Sequence, residues 1–308
     1  MLLGLTACSD SGPAGGGTGT ASPTPLATRV VVLGQSIDAD ALIALGITPV
    51  GMSAAFGQES GFHPWTAAAL GSRRVELVRD TDGGGLPFEE VVALKPDLIV
   101  ATTYNTTNND YDTDRPRLER IAKVVGPTTI AQRDTWQQST IRVGEAVGLA
   151  NEARRLVEDT EAKLTAVRDT HPDWESKTYT NGPVTGPAEV WTSNSPQDTS
   201  AIVLGQLGLV LSPKVTALSS PYPGWAQVSL EQLSVLEADV VMLSYHSEES
   251  RPALEDNPLF QQLPAVQRGA YIHLASDVST GLAYPSVLSI PYVLDWITPR
   301  LTQALNAR

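Results

Sequence analysis

One pattern occurs twice in this chain, and it restricts the fold more than any other feature. Residues 88–101 read FEEVVALKPDLIVA, and residues 230–243 read LEQLSVLEADVVML. The two align without a gap. Glu89 falls on Glu231, Leu94 on Leu236 and Asp97 on Asp239, and an apolar run follows each Asp. Each copy reads as a short helix opening on a Glu, a tight turn, then a buried strand. Consecutive apolar residues after a turn signal are what a parallel strand covered on both faces requires. One copy in each half predicts two similar α/β lobes.

The rest of the chain fits around that pair. Residues 29–33 (RVVVL) read as a strand, Asp38 to Leu45 as a short helix stopped by Gly46, and residues 47–52 as the next strand. Residues 53–85 are polar and Gly-rich and read as a long loop carrying Phe56, Phe62, His63 and Trp65. A helix is expected over 116–125 and a strand over 128–130. After a helix at 136–147, Asn151 is placed to cap a second one, whose apolar positions Ala153, Leu156, Val157, Thr160, Leu164 and Val167 recur at helical spacing. That helix runs to residue 170 and is about 30 Å long, enough to join two lobes as a rod. Further on, a strand is expected at 188–191 and a helix at 200–207. The loop 219–226 presents Tyr222 and Trp225, Ser229 and Gln232 form a capping box, and a helix closes the chain at 288–307. Alternating strands and helices in both halves make the class α/β.

The N-terminus has another character. Leu5-Thr6-Ala7-Cys8 resembles a bacterial lipobox, in which the Cys receives a lipid after cleavage, although residues 1–7 carry no Lys or Arg. Residues 9–28 are nearly all Ser, Gly, Thr, Ala and Pro. Such a segment cannot bury a core and is expected to be a disordered tether, with a reach of about 25 Å.

Composition excludes several functions. A net charge of -13 argues against nucleic-acid binding, which needs clustered Lys and Arg. Cys8 is the single cysteine, so no intramolecular disulfide forms. There is no Gly-x-Ser-x-Gly elbow, and Gly83-Gly84-Gly85 lacks the Gly-Lys-Ser/Thr of a phosphate loop. Asn108, Asp110, Asp112 and Glu119 match a calcium-loop template in part, but Thr113 stands where the template needs Gly, so the segment reads as a solvated loop. His63, His171, His246 and His273 show no metal-ligand spacing. No catalytic constellation, metal site or cofactor is expected. What remains is a set of aromatic residues beside irregular segments: Trp65, Tyr104, Trp191, Trp225, Tyr245 and Tyr284, with His246 next to Tyr245. In open α/β sheets ligands bind at the carboxyl ends of strands. These side chains are therefore the candidates for a shared cleft, against the plainer reading that each packs under its own loop.

Together the lipobox, the strand RVVVLG, DADALIALG, ITPVGM, the two copies of the repeat, LERIAKVV, the connecting helix and LPAVQRGAYIHL resemble the helical-backbone class of ABC-transporter substrate-binding proteins, with the ferric-siderophore branch nearest. The resemblance implies two Rossmann-like lobes joined by one long rigid helix, a ligand held between them, and delivery to a permease dimer in the membrane. It implies an N-terminal lobe at 29–150, the connecting helix at 151–175 and a C-terminal lobe at 176–308. It also implies that Glu89 and Glu231, one per lobe, dock against permease arginines. The plain alternative is that an acid in a helix's first turn only complements the helix dipole. The expectation is a monomeric, lipid-anchored, non-enzymatic carrier of an iron(III)–siderophore complex, with Arg79 or Arg133 offsetting chelate charge. A haem or cobalamin carrier of the same fold stays open, with Tyr104 or His246 as a haem ligand. A surface-anchored hydrolase and a purely structural adhesin are the readings from other classes.

Overall fold

A computed structural model describes residues 27–55, 57–81, 84–104, 111–128, 134–247 and 249–307. The lipobox with Cys8, the tether up to residue 26, Phe56, Gly83, Asn108, Asp110, Arg133 and most of the strand expected at 128–130 lie outside the described residues.

The first half runs β1 (Val30–Val32), α1 (Ser36–Ala44), β2 (Gly51–Ser53), α2 (Pro64–Leu70), β3 (Glu76–Val78), α3 (Phe88–Ala93), β4 (Leu98–Val100), α4 (Tyr111–Leu118) and β5 (Lys123–Val125). Its strands form one parallel sheet in the order β3-β2-β1-β4-β5. Alternation divides its core in two. Val30, Val32, Leu98 and Val100 belong to the cluster on one face, and Val31, Leu33, Ile99 and Ala101 to the cluster on the other.

Two helices follow, α5 (Trp136–Ala146) and α6 (Ala150–Thr170). Thr135 and Gln138 form the capping box of α5. The buried stripe of α6 is Ala153, Val157, Thr160 and Leu164, as its periodicity requires. Asn151 does not cap it: the helix opens from Leu149 with no side-chain cap. α6 packs on α5 from the first half and on helices of the second, so it is the rod between the lobes.

The second half runs β6 (Thr178–Gly186), β7 (Glu189–Ser193), α7 (Thr199–Gln206), β8 (Val210–Leu211), α8 (Pro213–Thr216), β9 (Trp225–Val228), β10 (Val240–Tyr245), α9 (Ser250–Glu255), α10 (Pro258–Gln261), α11 (Pro264–Gln267), β11 (Tyr271–His273), α12 (Ser276–Ala283) and α13 (Ser289–Leu305). The sheet order is β11-β10-β6-β7-β9, with β8 beside β6 and β7 antiparallel to both its neighbours. The architecture is α/β with two lobes and one connecting helix, as expected.

Several local expectations fail. The loop 53–85 contains α2 and β3; Pro64 at the helix start and Ala67-Ala68-Ala69 supply the helix. Residues 116–125 are the end of α4 followed by β5 rather than one helix. β6, the central strand, has no counterpart among the expected elements; it contains Asn181-Gly182-Pro183, residue types that favour turns. The second copy of the repeat opens with a 3-10 stretch, Leu230–Leu236, and Ser229 makes no side-chain cap bond to it. Thr28, the last residue of the expected tether, is held by Asp97 and belongs to the folded part.

Candidate functional site

The aromatic set separates once the strands are in register. Ser193 pairs with Trp225 and Trp191 with Gln227 across β7 and β9. Residues opposite each other share a face, and so do residues two apart. Trp191 and Trp225 therefore stand diagonally on one face of the sheet's edge. Tyr222 closes the group, its ring 5.2 Å from that of Trp191 in an edge-on arrangement. Tyr222 is 56% exposed and Trp191 and Trp225 are half-buried, so three rings form one accessible patch.

Tyr245 does not join them. It pairs with Val184, which pairs with Val190, the strand neighbour of Trp191, so it faces the other side of the sheet. There its hydroxyl lies 2.8 Å from that of Tyr271, which donates to Glu255, and Arg251 donates to the same carboxylate. Burial pushes the Tyr245 hydroxyl up to about 12. That side chain is a strut under α9 and stays protonated at neutral pH. His246, one residue on, is exposed and donates its backbone N–H to Val184.

Two first-lobe candidates are buried, one inside a helix and one in the irregular segment after a strand. Trp65 lies in α2 at 4% exposure, stacked on His63, with its indole N–H donated to Asp40 at 2.8 Å. Tyr104 follows β4, is buried, and donates its hydroxyl to Asp114 at 2.5 Å. Tyr284 ends α12 half-buried against the second core. Of the candidates, the structure brings together Trp191 and Trp225 alone and adds Tyr222, which shares a loop with Trp225. Arg79 is exposed just past the end of β3, with no ion-pair partner among the described residues. Among the described residues no three His, Cys, Asp or Glu are grouped to hold a metal ion.

Beneath the strand ends of the first lobe lies a polar cluster with no counterpart among the expected site residues. Ile37 to Ile43 of α1 are all buried, including Asp38 and Asp40. An acid on a helix buried all round needs partners. Asp38 accepts from the Thr102 and Ser139 hydroxyls and the Thr103 N–H, which ties α1 to the end of β4 and to α5. Burial raises the Asp38 carboxyl, and those bonds offset part of the rise. Gly34 is required beside it: a Cβ there would lie 2.3 Å from Asp38 Oδ2. Asp40 accepts from Trp65, from the Thr66 hydroxyl at 2.7 Å and from the Ser286 hydroxyl at 2.6 Å. The available signal was an Asp-x-Asp pair inside an otherwise apolar helix.

Glu89 and Glu231 are both exposed, on α3 and on the 3-10 stretch, with no ion-pair partner among the described residues. Glu231 borders two shallow grooves on the second lobe. One, of about 360 Å³, is lined by Lys214, Glu237, Leu259 and Pro264, and the other, of about 440 Å³, by Leu218, Gln227 and Val235. No helix among the described residues is long and apolar enough to cross a membrane.

The chain is similar to known proteins over most of its length. A periplasmic solute binding protein from Mycobacterium smegmatis superposes with a TM-score of 0.76 at 29% identity, covering 91% of this chain and 93% of that one. The iron uptake ABC transporter substrate-binding protein PiaA from Streptococcus pneumoniae, solved also in complex with ferrichrome, gives 0.70 at 26% identity, covering 92% and 95%. FhuD2 from Staphylococcus aureus with bound ferrioxamine B shares the fold, at a TM-score of 0.69 and 18% identity over 91% of this chain and 100% of that one. No curated protein matches the sequence. Residues 31–278 match the periplasmic binding protein family, whose members are extracytoplasmic carriers and not enzymes. Two α/β lobes on one connecting helix and the match over residues 31–278 agree: this chain belongs to the periplasmic binding protein family.

Proposed function

We propose that this protein is the binding component of an ABC importer for an iron(III)–siderophore complex. The observation that carries the reading is the patch of Trp191, Tyr222 and Trp225, three accessible rings on one face of the sheet. Aromatic faces cover the flat apolar parts of a chelate. The likeness to PiaA, a substrate-binding protein solved with ferrichrome, supports the same class. His246 and Arg79 stand at strand ends of the two lobes, where they would meet the chelate's polar groups and offset negative charge. Trp65, Tyr104 and Tyr245 act as supports whose polar atoms are already engaged, and Tyr284 as packing.

The protein works as a monomer held to the membrane through lipidated Cys8 and the Ser/Gly/Thr-rich tether, with lobes at 29–150 and 176–308. Glu89 and Glu231 dock the loaded protein on the permease, one carboxylate per lobe meeting a two-fold set of cations. Tryptophan-fluorescence titration tests the ligand class directly. Ferrichrome, ferrioxamine B, staphyloferrin B, hemin and cobalamin form the panel. Saturable quenching by one or more ferric siderophores is expected. Saturation by hemin or cobalamin alone would move the protein to that carrier class, and silence across the panel would sink the carrier reading.

A further inference from the structure

The two lobes meet along a buried seam. Ile37 and Trp136, from first-lobe elements, belong to the core cluster of the second lobe, and Leu288 packs against the cores of both. At the middle of this seam sits the carboxylate of Asp40, with no exposed surface. Its Oδ1 accepts from Thr66 and its Oδ2 from Trp65, both on α2. The third donor, Ser286, lies 246 residues away in the turn between α12 and α13. Ser286 is itself fixed: its hydroxyl oxygen accepts from the Ser289 N–H at 2.9 Å and the Leu288 N–H at 3.2 Å. The Trp65 ring completes the contact, 5.4 Å from the Tyr292 ring and packed over Gly281.

We propose that Asp40 and Ser286 form a proton-linked latch between the lobes, which holds the seam most tightly when Asp40 carries a proton. Burial pushes the Asp40 carboxyl up to about 6, and bonds from Ser286, Thr66 and Trp65 moderate the rise. Parting the seam returns Asp40 to water and to its ordinary value of 3.8. The sealed state therefore has the higher proton affinity, so acidification through this window favours it. No bond across the seam is lost on protonation. A proton on Oδ1 needs only the Thr66 hydroxyl to turn from donor to acceptor, while Oδ2 goes on accepting from Trp65 and Ser286.

The surrounding charges do not supply this response. On α1, Asp38 is occupied by Thr102, Thr103 and Ser139. At the head of α2, His63 is held below its usual range by burial, against a pull upward from Asp277 of α12. Asp277 accepts from the Tyr292 hydroxyl of α13 at 2.9 Å. The ionic groups of α5, Arg142 and Glu145, pair with Asp134 and Arg154. This latch does not depend on which ligand the protein carries.

The Trp65 indole N–H is the reporter, because it donates to Asp40. Its protection from solvent exchange, measured by NMR on the full chain with 15N-labelled tryptophan, is expected to rise about tenfold from pH 7.5 to pH 5. Asp40→Asn, which mimics the protonated acid, is expected to abolish the step. His63→Gln leaves the three partners of Asp40 in place and is expected to retain it. Ser286→Ala is expected to lower protection several-fold at both pH values. A wild type with no step, a step that survives in Asp40→Asn, or one lost in His63→Gln would each overturn the proposal. Unchanged protection in Ser286→Ala would also overturn it, by showing that the Asp40 site closes within the first lobe alone.

Discussion

Asp239 Oδ2 stands 2.7 Å from both the backbone nitrogen and the hydroxyl of Thr178. Asp97 holds Thr28 by the same two bonds, each 2.8 Å. These are the aligned aspartates of the repeated unit. In each lobe the turn before one strand reaches sideways and pins the start of its neighbour, β10 to β6 and β4 to β1. The repeat thus records one joint made twice, and explains why an Asp recurs immediately before each apolar strand.

Both carboxylates should resist protonation. Burial raises them, but the bonds from Thr28 and Arg29 on Asp97 outweigh that, as do those from Thr178 with Lys177 and Arg268 on Asp239. A lowered value in the folded state means stability that is present above the ordinary value of 3.8 and lost as pH falls through the folded value. Asp239→Ala is expected to cost about 1 kcal/mol in urea unfolding at pH 7, and Asp97→Ala less because it is more exposed. Repeating the titrations below pH 3 should shrink both differences.

The ligand patch makes a contrasting pair. Trp191→Ala or Trp225→Ala is expected to weaken chelate binding by about tenfold, the loss of one aromatic contact. Tyr245→Phe removes a hydroxyl bonded to Tyr271 on the opposite face and should leave affinity within about twofold. Titration calorimetry checks both, and equal losses in all three would contradict the separation of faces.

Docking should be separable from binding. Glu89→Ala combined with Glu231→Ala is expected to leave ligand affinity unchanged and to abolish uptake in whole cells. Intact uptake with this double variant would remove the docking role.

Two glycines predict opposite signs. A Cβ on Gly182 would lie 1.9 Å from the Trp191 carbonyl oxygen, backbone against backbone between β6 and β7. Gly182→Ala is expected to cost more than about 2 kcal/mol or prevent folding. Gly205, on α7, has open space at the same position. Gly205→Ala should stabilise by about 0.5–1 kcal/mol, read by thermal melting.

Much of the fold was legible because it rests on local patterns. The apolar runs at 98–101 and 240–243 could only be buried strands, and the stripe of α6 could only be a helix with one covered side. Where local signals conflicted, the reading failed. Asn181-Gly182-Pro183 suggests a turn, yet it lies inside a central strand, because pairing with β10 and β7 outweighs local preference. Polar and glycine residues around Pro64 masked α2, and with it the burial of Trp65.

The sequence by itself determined two α/β lobes, one connecting helix, a Glu and an Asp repeated in each lobe, and the absence of a motif for catalysis. Those features follow from the order of residues along one chain. Only the tertiary structure decided which aromatic rings share a surface, because a shift of one residue in register turns a side chain to the other face of a sheet. That is why Trp191 meets Tyr222 while Tyr245 meets Tyr271. The same holds for Asp40 and Ser286: no pattern in sequence joins residues 246 apart, and their bond exists because the packing of two lobes leaves a buried carboxylate that must find its donors there.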